Sequence, residues 1–176
     1  FPIDLIQFEA FKNELGWKGC ALSHVKAINY AINNNMKQIL VIEDDSLFTE
    51  NSYNQFINAI NGLPENWDLL LGGLSFLKSN RISKVNNNLI KIYDFSASHF
   101  ILYNYTSFKY IKEKYININI DRFIGRLNKK NLLNTYCCYP FLATQMASYS
   151  DIRKKETDDN KLFMDSEKLI KIYLKL

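Results

Sequence analysis

The chain has 176 residues, a length that supports one domain around one core and leaves no room for a second full domain. Apolar residues make up 47% and charged residues 23%, the proportions of soluble globular proteins, which excludes disordered and fibrous classes. The net charge of +4 is carried mostly by lysines scattered among acids, the pattern of a solvated surface, and this sets nucleic-acid binding aside.

No apolar run approaches the roughly 20 residues of a membrane span, and no signal-peptide pattern opens the chain. A soluble body without a transmembrane segment is therefore expected, with the cytoplasm as its default location. The first residue is Phe1 rather than Met, so an upstream segment is expected to be missing from this sequence. Cys20 and the adjacent pair Cys137-Cys138 show no metal-ligand spacing, and their odd number argues against a disulfide scaffold. Free, mostly buried thiols are expected. With only His24 and His99 present, a multi-histidine zinc site is ruled out.

In chain order, Leu22, Val25, Ile28 and Ile32 recur at steps of three and four, which predicts a helix over Cys20 to Asn33. Gln38 to Ile42 is a short, nearly continuous apolar run, the signature of a strand buried on both faces. Tyr53, Phe56, Ile57 and Ile60 predict a second helix, stopped at Gly62-Leu63-Pro64. Asp68 to Gly73 reads as another buried strand ending in flexible glycines. This alternation is the rhythm of βαβ units and predicts a mostly parallel sheet. Arg81 to Val85 and Leu89 to Tyr93 flank an Asn-rich turn and predict a hairpin insertion. A strand follows at His99 to Tyr103, a helix at Ser107 to Tyr115, a helix starting at Asp121, and a strand at Thr135 to Tyr139. Residues 153–176 are read as an exposed charged loop, Arg153 to Lys161, and an amphipathic C-terminal helix.

The strongest chemical signal is Glu43-Asp44-Asp45 directly after the first buried strand, because ligand sites in open α/β sheets lie outside the carboxyl ends of strands. Adjacent carboxylates repel, and a hard divalent ion that also takes diphosphate oxygens relieves the repulsion. The plain alternative is one helix-capping acid beside two solvated ones.

Gly19-Cys20-Ala21-Leu22-Ser23-His24, then Leu40-Val41-Ile42-Glu43-Asp44-Asp45, together resemble glycosyltransferase family 25. Further matches follow in order: Trp67-Asp68-Leu69-Leu70-Leu71-Gly72-Gly73, Ser98-His99-Phe100-Ile101-Leu102 and Ile120-Asp121-Arg122-Phe123-Ile124. The series closes with Tyr139-Pro140-Phe141-Leu142-Ala143-Thr144-Gln145 and Ser150-Asp151-Ile152. The family's opening strand and Arg-rich loop have no counterpart before Gly16.

The resemblance implies residues 1–176 as a single domain with a GT-A-like, Rossmann-type, mostly parallel sheet flanked by helices. It implies metal-dependent, inverting transfer of a sugar from a nucleotide diphosphate sugar, UDP-galactose by default, to a glycan or protein acceptor. Glu43 and Asp45 would then be metal ligands, with manganese the first choice of ion and magnesium the second. Ser23, His24, Glu43, Asp44, Gly72 and Gly73 would meet the donor, His24 by reaching a phosphate near the positive end of the first helix. His99, Gln145 and Ser150 would meet the acceptor; His99 is also a candidate metal contact or a core histidine. Asp121 is the candidate base, with helix N-cap as its other role; Asp151 is the rival and Asp68 a weaker one. A non-catalytic sugar- or protein-binding module on the same fold is the alternative function. A receiver-like phosphotransfer domain would need a further phosphoacceptor Asp and a partnered Lys, which the sequence does not place.

Overall fold

The computed structural model describes residues 5–77, 81–112, 117–150 and 155–175. An extended lead-in runs back along the first helix, α1 (Gly16–Asn33), with Phe8 edge-on to Tyr30 at 5.2 Å and the Phe11 amide donating to Ser23 Oγ. The helix ends where Asn35 adopts a left-handed φ of 54° and the Met36 amide turns back to the Ala31 carbonyl, the closure that short polar residues such as Asn permit. Next come β1 (Gln38–Ile42), β2 (Ser46–Phe48), α2 (Ser52–Asn61), β3 (Leu69–Leu71), β4 (Phe76–Leu77), β5 (Ser83–Lys84), β6 (Leu89–Ile92), β7 (Phe95–Ser96) and β8 (Phe100–Asn104). The remainder is α3 (Tyr105–Ile111), α4 (Ile120–Lys129), β9 (Thr135–Cys138), β10 (Ala143–Gln145), β11 (Ser148–Ser150), β12 (Lys155–Thr157) and α5 (Asn160–Leu174).

Six strands form the main sheet in the order β1-β8-β3-β9-β6-β5. Among the described residues only β3 and β9 pair in parallel; β1–β8, β8–β3, β9–β6 and β6–β5 are antiparallel. The expected mostly parallel, Rossmann-type sheet is thus corrected to a mixed, mostly antiparallel one. The βαβ rhythm is real, since β1 and β3 run the same way on either side of α2. But β8 is inserted between them in the opposite sense. Apolar runs report burial and carry no information on strand direction.

Side-chain alternation splits the core into two layers. Leu69, Leu71, Ile101, Tyr103, Ile90 and Ile92 face α1, α3, α4 and α5, whereas Leu70, Phe100, Leu102, Leu89 and Tyr136 face α2. Strand β1 follows the same parity, with Ile39 and Val41 on the α1 side and Leu40 and Ile42 on the other. Its residues are only partly buried, because β1 is an edge strand. The expectation of burial on both faces held for β3 and failed for β1; β8 is buried throughout as well.

The hairpin appears as β5 and β6, which extend the main sheet. Residues 155–157, expected in an exposed loop, instead pair with β11. The C-terminal helix docks through Phe163, Ser166 and Ile170. Helix α4 begins at Ile120 with Asn119 in the cap position, so Asp121 lies inside the first turn and is not the cap.

Gly72 and Gly73, expected as flexible strand-end residues, are buried. A Cβ at Gly72 would stand 2.8 Å from the Phe100 ring, and one at Gly73 would collide with the Ala143 carbonyl oxygen. Their small size is used for close packing of β3 against the segment leading into β10. Gly73→Ala is expected to lower the unfolding free energy by about 1–3 kcal/mol in urea denaturation, the range for overpacked cores; an unchanged midpoint would show that the strand end has room.

Candidate functional site

The carboxyl ends of β1, β3 and β9 and the amino end of β8 lie at one end of the sheet, as the pairing of Ile42 with Phe100 and of Leu71 with Ile101 and Cys137 requires. Glu43, Gly72, Ser98 and His99 therefore converge. Asp68 precedes β3 and lies at the other end, where Thr106 Oγ1 donates to its Oδ1 at 2.6 Å and the Asn134 amide to its Oδ2 at 2.8 Å. Its place at the end of the sheet opposite Glu43 and Asp45 removes Asp68 from the candidate bases.

Parity sends Glu43 to the same side as Ile39 and Val41, toward α1. There Cys20 and His24, four residues apart on one helix face, meet it: Cys20 Sγ donates to Glu43 Oε1 at 3.5 Å and His24 Nε2 lies 3.5 Å from the same oxygen. Ser98 Oγ donates to it at 2.7 Å. His24 is buried, and its Nδ1 pairs with the Tyr103 hydroxyl at 2.8 Å. A carboxylate only accepts, so Nε2 carries the ring proton and Nδ1 takes the tyrosine's. Burial alone pushes the Glu43 carboxyl up, but the hydrogen bonds from His24 and from the Ser98 hydroxyl hold it below the ordinary glutamate value. Burial, then the Glu43 charge, pushes the Cys20 thiol up.

The other two acids of the triplet have different surroundings. Asp44 is exposed. Asp45 Oδ2 accepts from Gln145 Nε2 at 3.1 Å, and the Asp45 carbonyl accepts from the Met146 amide at 2.7 Å. Its Oδ1 is buried without a hydrogen-bond partner among the described residues. Burial and the nearby Glu43 charge raise the Asp45 carboxyl from 3.8 to about 6.

His99 is fully buried, its Nε2 bonded to the Ala143 carbonyl at 3.2 Å and its ring edge-on to Phe163 at 5.2 Å. Burial pushes its pKa down, so the ring is neutral, and Nδ1 has no partner among the described residues. Asp121 Oδ2 accepts from the Ala97 amide at 3.3 Å, and Oδ1 from Arg122. Ala97 has a φ of 93°, a strained value for a residue with a Cβ, and it immediately precedes Ser98. Asp121 is therefore tied, through Ala97, to the loop that delivers Ser98 to Glu43.

Ser23 is engaged locally, donating to the Gly19 carbonyl at 2.9 Å and accepting from Phe11. His24 lies about two turns inside α1, because the helix starts at Gly16 rather than Cys20. With its ring nitrogens directed at Glu43 and Tyr103, the expected reach to a phosphate at the helix end is corrected. The Ser150 side chain and Asp151 lie outside the described residues. The acids sit beside β1, the edge strand of the main sheet, and lead directly into β2, which pairs with β10. Two surface hollows of about 330 and 250 Å³ are lined by Lys37, Tyr105, Lys109 and Lys112 and by Asp94, Arg122, Arg126 and Lys129, away from the triplet.

Sequence reasoning missed Cys20, Ser98 and Tyr103 as parts of this cluster. The spacing of Cys20 and His24 was visible, but its partners come from β1 and β8.

Residues 11–137 match the family model described as "Glycosyltransferase family 25 (LPS biosynthesis protein)". The chain belongs to glycosyltransferase family 25 and is a glycosyltransferase. The closing resemblance from Tyr139 onward lies beyond the matched region. A solved structure described as "Crystal Structure of A197 from STIV" is similar in fold, with a TM-score of 0.50 at 14% identity over 77% of this chain and 73% of that one. No curated protein matches the chain. Among the described residues no helix is long and apolar enough to cross a membrane.

Asp45 in the folded chain keeps its proton up to about pH 6, whereas its ordinary value is 3.8. The fold is thus favoured below the lower value and loses that contribution as pH rises through the upper one. Asp45→Asn is expected to raise the melting temperature of chelator-treated protein at pH 7 and to leave it unchanged near pH 3. An equal shift at both pH values would show that the carboxyl is not the origin.

Proposed function

We propose that this glycosyltransferase acts as a single domain that moves a hexose, galactose by default, from a uridine diphosphate donor to a glycan or hydroxylated protein, with inversion. The carrying observation is Asp45 Oδ1, buried at the carboxyl end of the sheet and without a hydrogen-bond partner among the described residues while its twin is fixed by Gln145. That oxygen fits a hard divalent cation, manganese first and magnesium second, with Asp45 as principal ligand; Glu43, whose Oε1 meets Cys20, His24 and Ser98, would offer it Oε2. When bound, such an ion offsets charge on the leaving diphosphate.

The chain's own residues supply the rest. Asp44, exposed beside Asp45, is free to take a ribose hydroxyl. Gly72 and Gly73 shape the donor side from beneath by letting the segment before β10 pack close, and Ser23 and His24 support it from α1, His24 by holding Glu43. Asp121 takes the proton from the acceptor hydroxyl as that oxygen bonds to the anomeric carbon and the bond to the diphosphate breaks. Asp151 is the rival base. Gln145, Ser150 and His99 form the acceptor side, His99 chiefly by fastening Ala143 and so the strand that carries Gln145.

The test is a transfer and hydrolysis screen across nucleotide sugars with manganese. Asp45→Ala is expected to lower turnover about 10²–10³-fold, the range for losing one charge-stabilising group. Asp121→Asn retains an acceptor for the Ala97 amide and is expected to lower kcat about 10²–10⁴-fold, the range for a general base. If no donor is bound or turned over with manganese, a non-catalytic binding module replaces this reading.

A further inference from the structure

The cluster beneath the triplet has a chemistry of its own. Cys20 Sγ, His24 Nε2 and a Glu43 oxygen all lie within 4.8 Å of one another, contributed by α1 and the end of β1. We propose that these three atoms form a zinc site, with solvent in a fourth position, distinct in kind from an oxygen-only site for the donor's diphosphate.

Geometry supports this first. With zinc bonds of 2.0–2.3 Å, neighbouring vertices of a tetrahedron are about 3.3–3.6 Å apart. The Cys20–Glu43 and His24–Glu43 separations are both 3.5 Å. The Cys20–His24 separation, within 4.8 Å, would close by up to about 1.5 Å for all three to meet one ion. Ser98 Oγ, at 2.7 Å from Glu43 Oε1, is too near that oxygen to be a neighbouring vertex and serves as the hydrogen bond that orients the ligating carboxylate.

The second support is the outer shell of His24. A metal-bound imidazole gives its other nitrogen to a fixed hydrogen-bond partner, and Tyr103 OH holds Nδ1 at 2.8 Å from within the core. A hydroxyl both donates and accepts, so it serves either tautomer; on metal binding the ring proton is carried at Nδ1 and Nε2 is released to the ion. The Cys20 thiol proton is lost to solvent, leaving thiolate as ligand, and affinity therefore rises with pH. Thiolate and imidazole select zinc over the harder magnesium and manganese, which prefer oxygen. The partial exposure of Cys20 and Glu43 provides entry, while His24 is buried behind them.

The experiment needs no nucleotide sugar, so its failure and the failure of the proposed transfer are separable. Chelator-treated whole chain is titrated with cobalt and then with zinc. One cobalt per chain is expected to give the visible absorption of a tetrahedral ion and a near-ultraviolet thiolate-to-cobalt band, both erased by zinc. Cys20→Ser, checked for native circular dichroism, is expected to lose the near-ultraviolet band, and Tyr103→Phe to weaken zinc binding about 10–100-fold. Should Cys20→Ser fail to fold, the wild-type spectrum and Tyr103→Phe still decide. Absence of a thiolate band in the wild type, its persistence in folded Cys20→Ser, or cobalt binding lost in Asp45→Ala but retained in Cys20→Ser would overturn the site.

Discussion

A partly buried carboxylate must be met by donors, and Glu43 at the end of β1 sets that demand for the whole site. Its partners come from α1 and from the residue leading into β8, so the helix must pack with Cys20 and His24 inward and β8 must pair with β1 in one register. Tyr103 extends the constraint into the core, because its hydroxyl meets His24 only if β8 turns that residue toward α1. One charge thereby links a helix face, a strand register and a buried tyrosine.

The triplet shows how strongly environment separates like residues. Glu43 is held ionised by imidazole and hydroxyl donors, Asp44 faces solvent, and Asp45 is pushed toward the protonated form by burial and by Glu43 itself. Neighbouring carboxyls driven apart in this way have distinct chemical uses. Asp45 retains an oxygen without a partner among the described residues, the feature on which the proposed donor chemistry rests; Glu43 already has three donors, the feature on which the proposed zinc site rests. The strained Ala97, anchored by Asp121, joins these acids to α4.

The sheet departs from a doubly wound pattern because β8 enters antiparallel between β1 and β3. This brings the start of β8, with Ser98 and His99, to the same end as the carboxyl ends of the parallel strands. A site that in an all-parallel sheet draws only on strand ends here also draws on a strand beginning. The similarity to the A197 structure is one of fold alone at 14% identity.

Local pattern fixed much of this. The 3.6-residue period placed α1, α2 and α5, the apolar runs placed β1, β3 and β8, and the family's ordered motifs marked the acids at a strand end. Alternation from Ile39 and Val41 even directs Glu43 toward one layer. Strand direction, the edge position of β1, and the packing roles of Gly72 and Gly73 were not legible, because an apolar run reports burial and not its neighbours. Nor were the joining of Glu43 to Ser98, 55 residues away, and of His24 to Tyr103, 79 away. Such contacts exist only after the chain has closed on itself, and the energies that select them belong to packed layers rather than to any segment of the sequence.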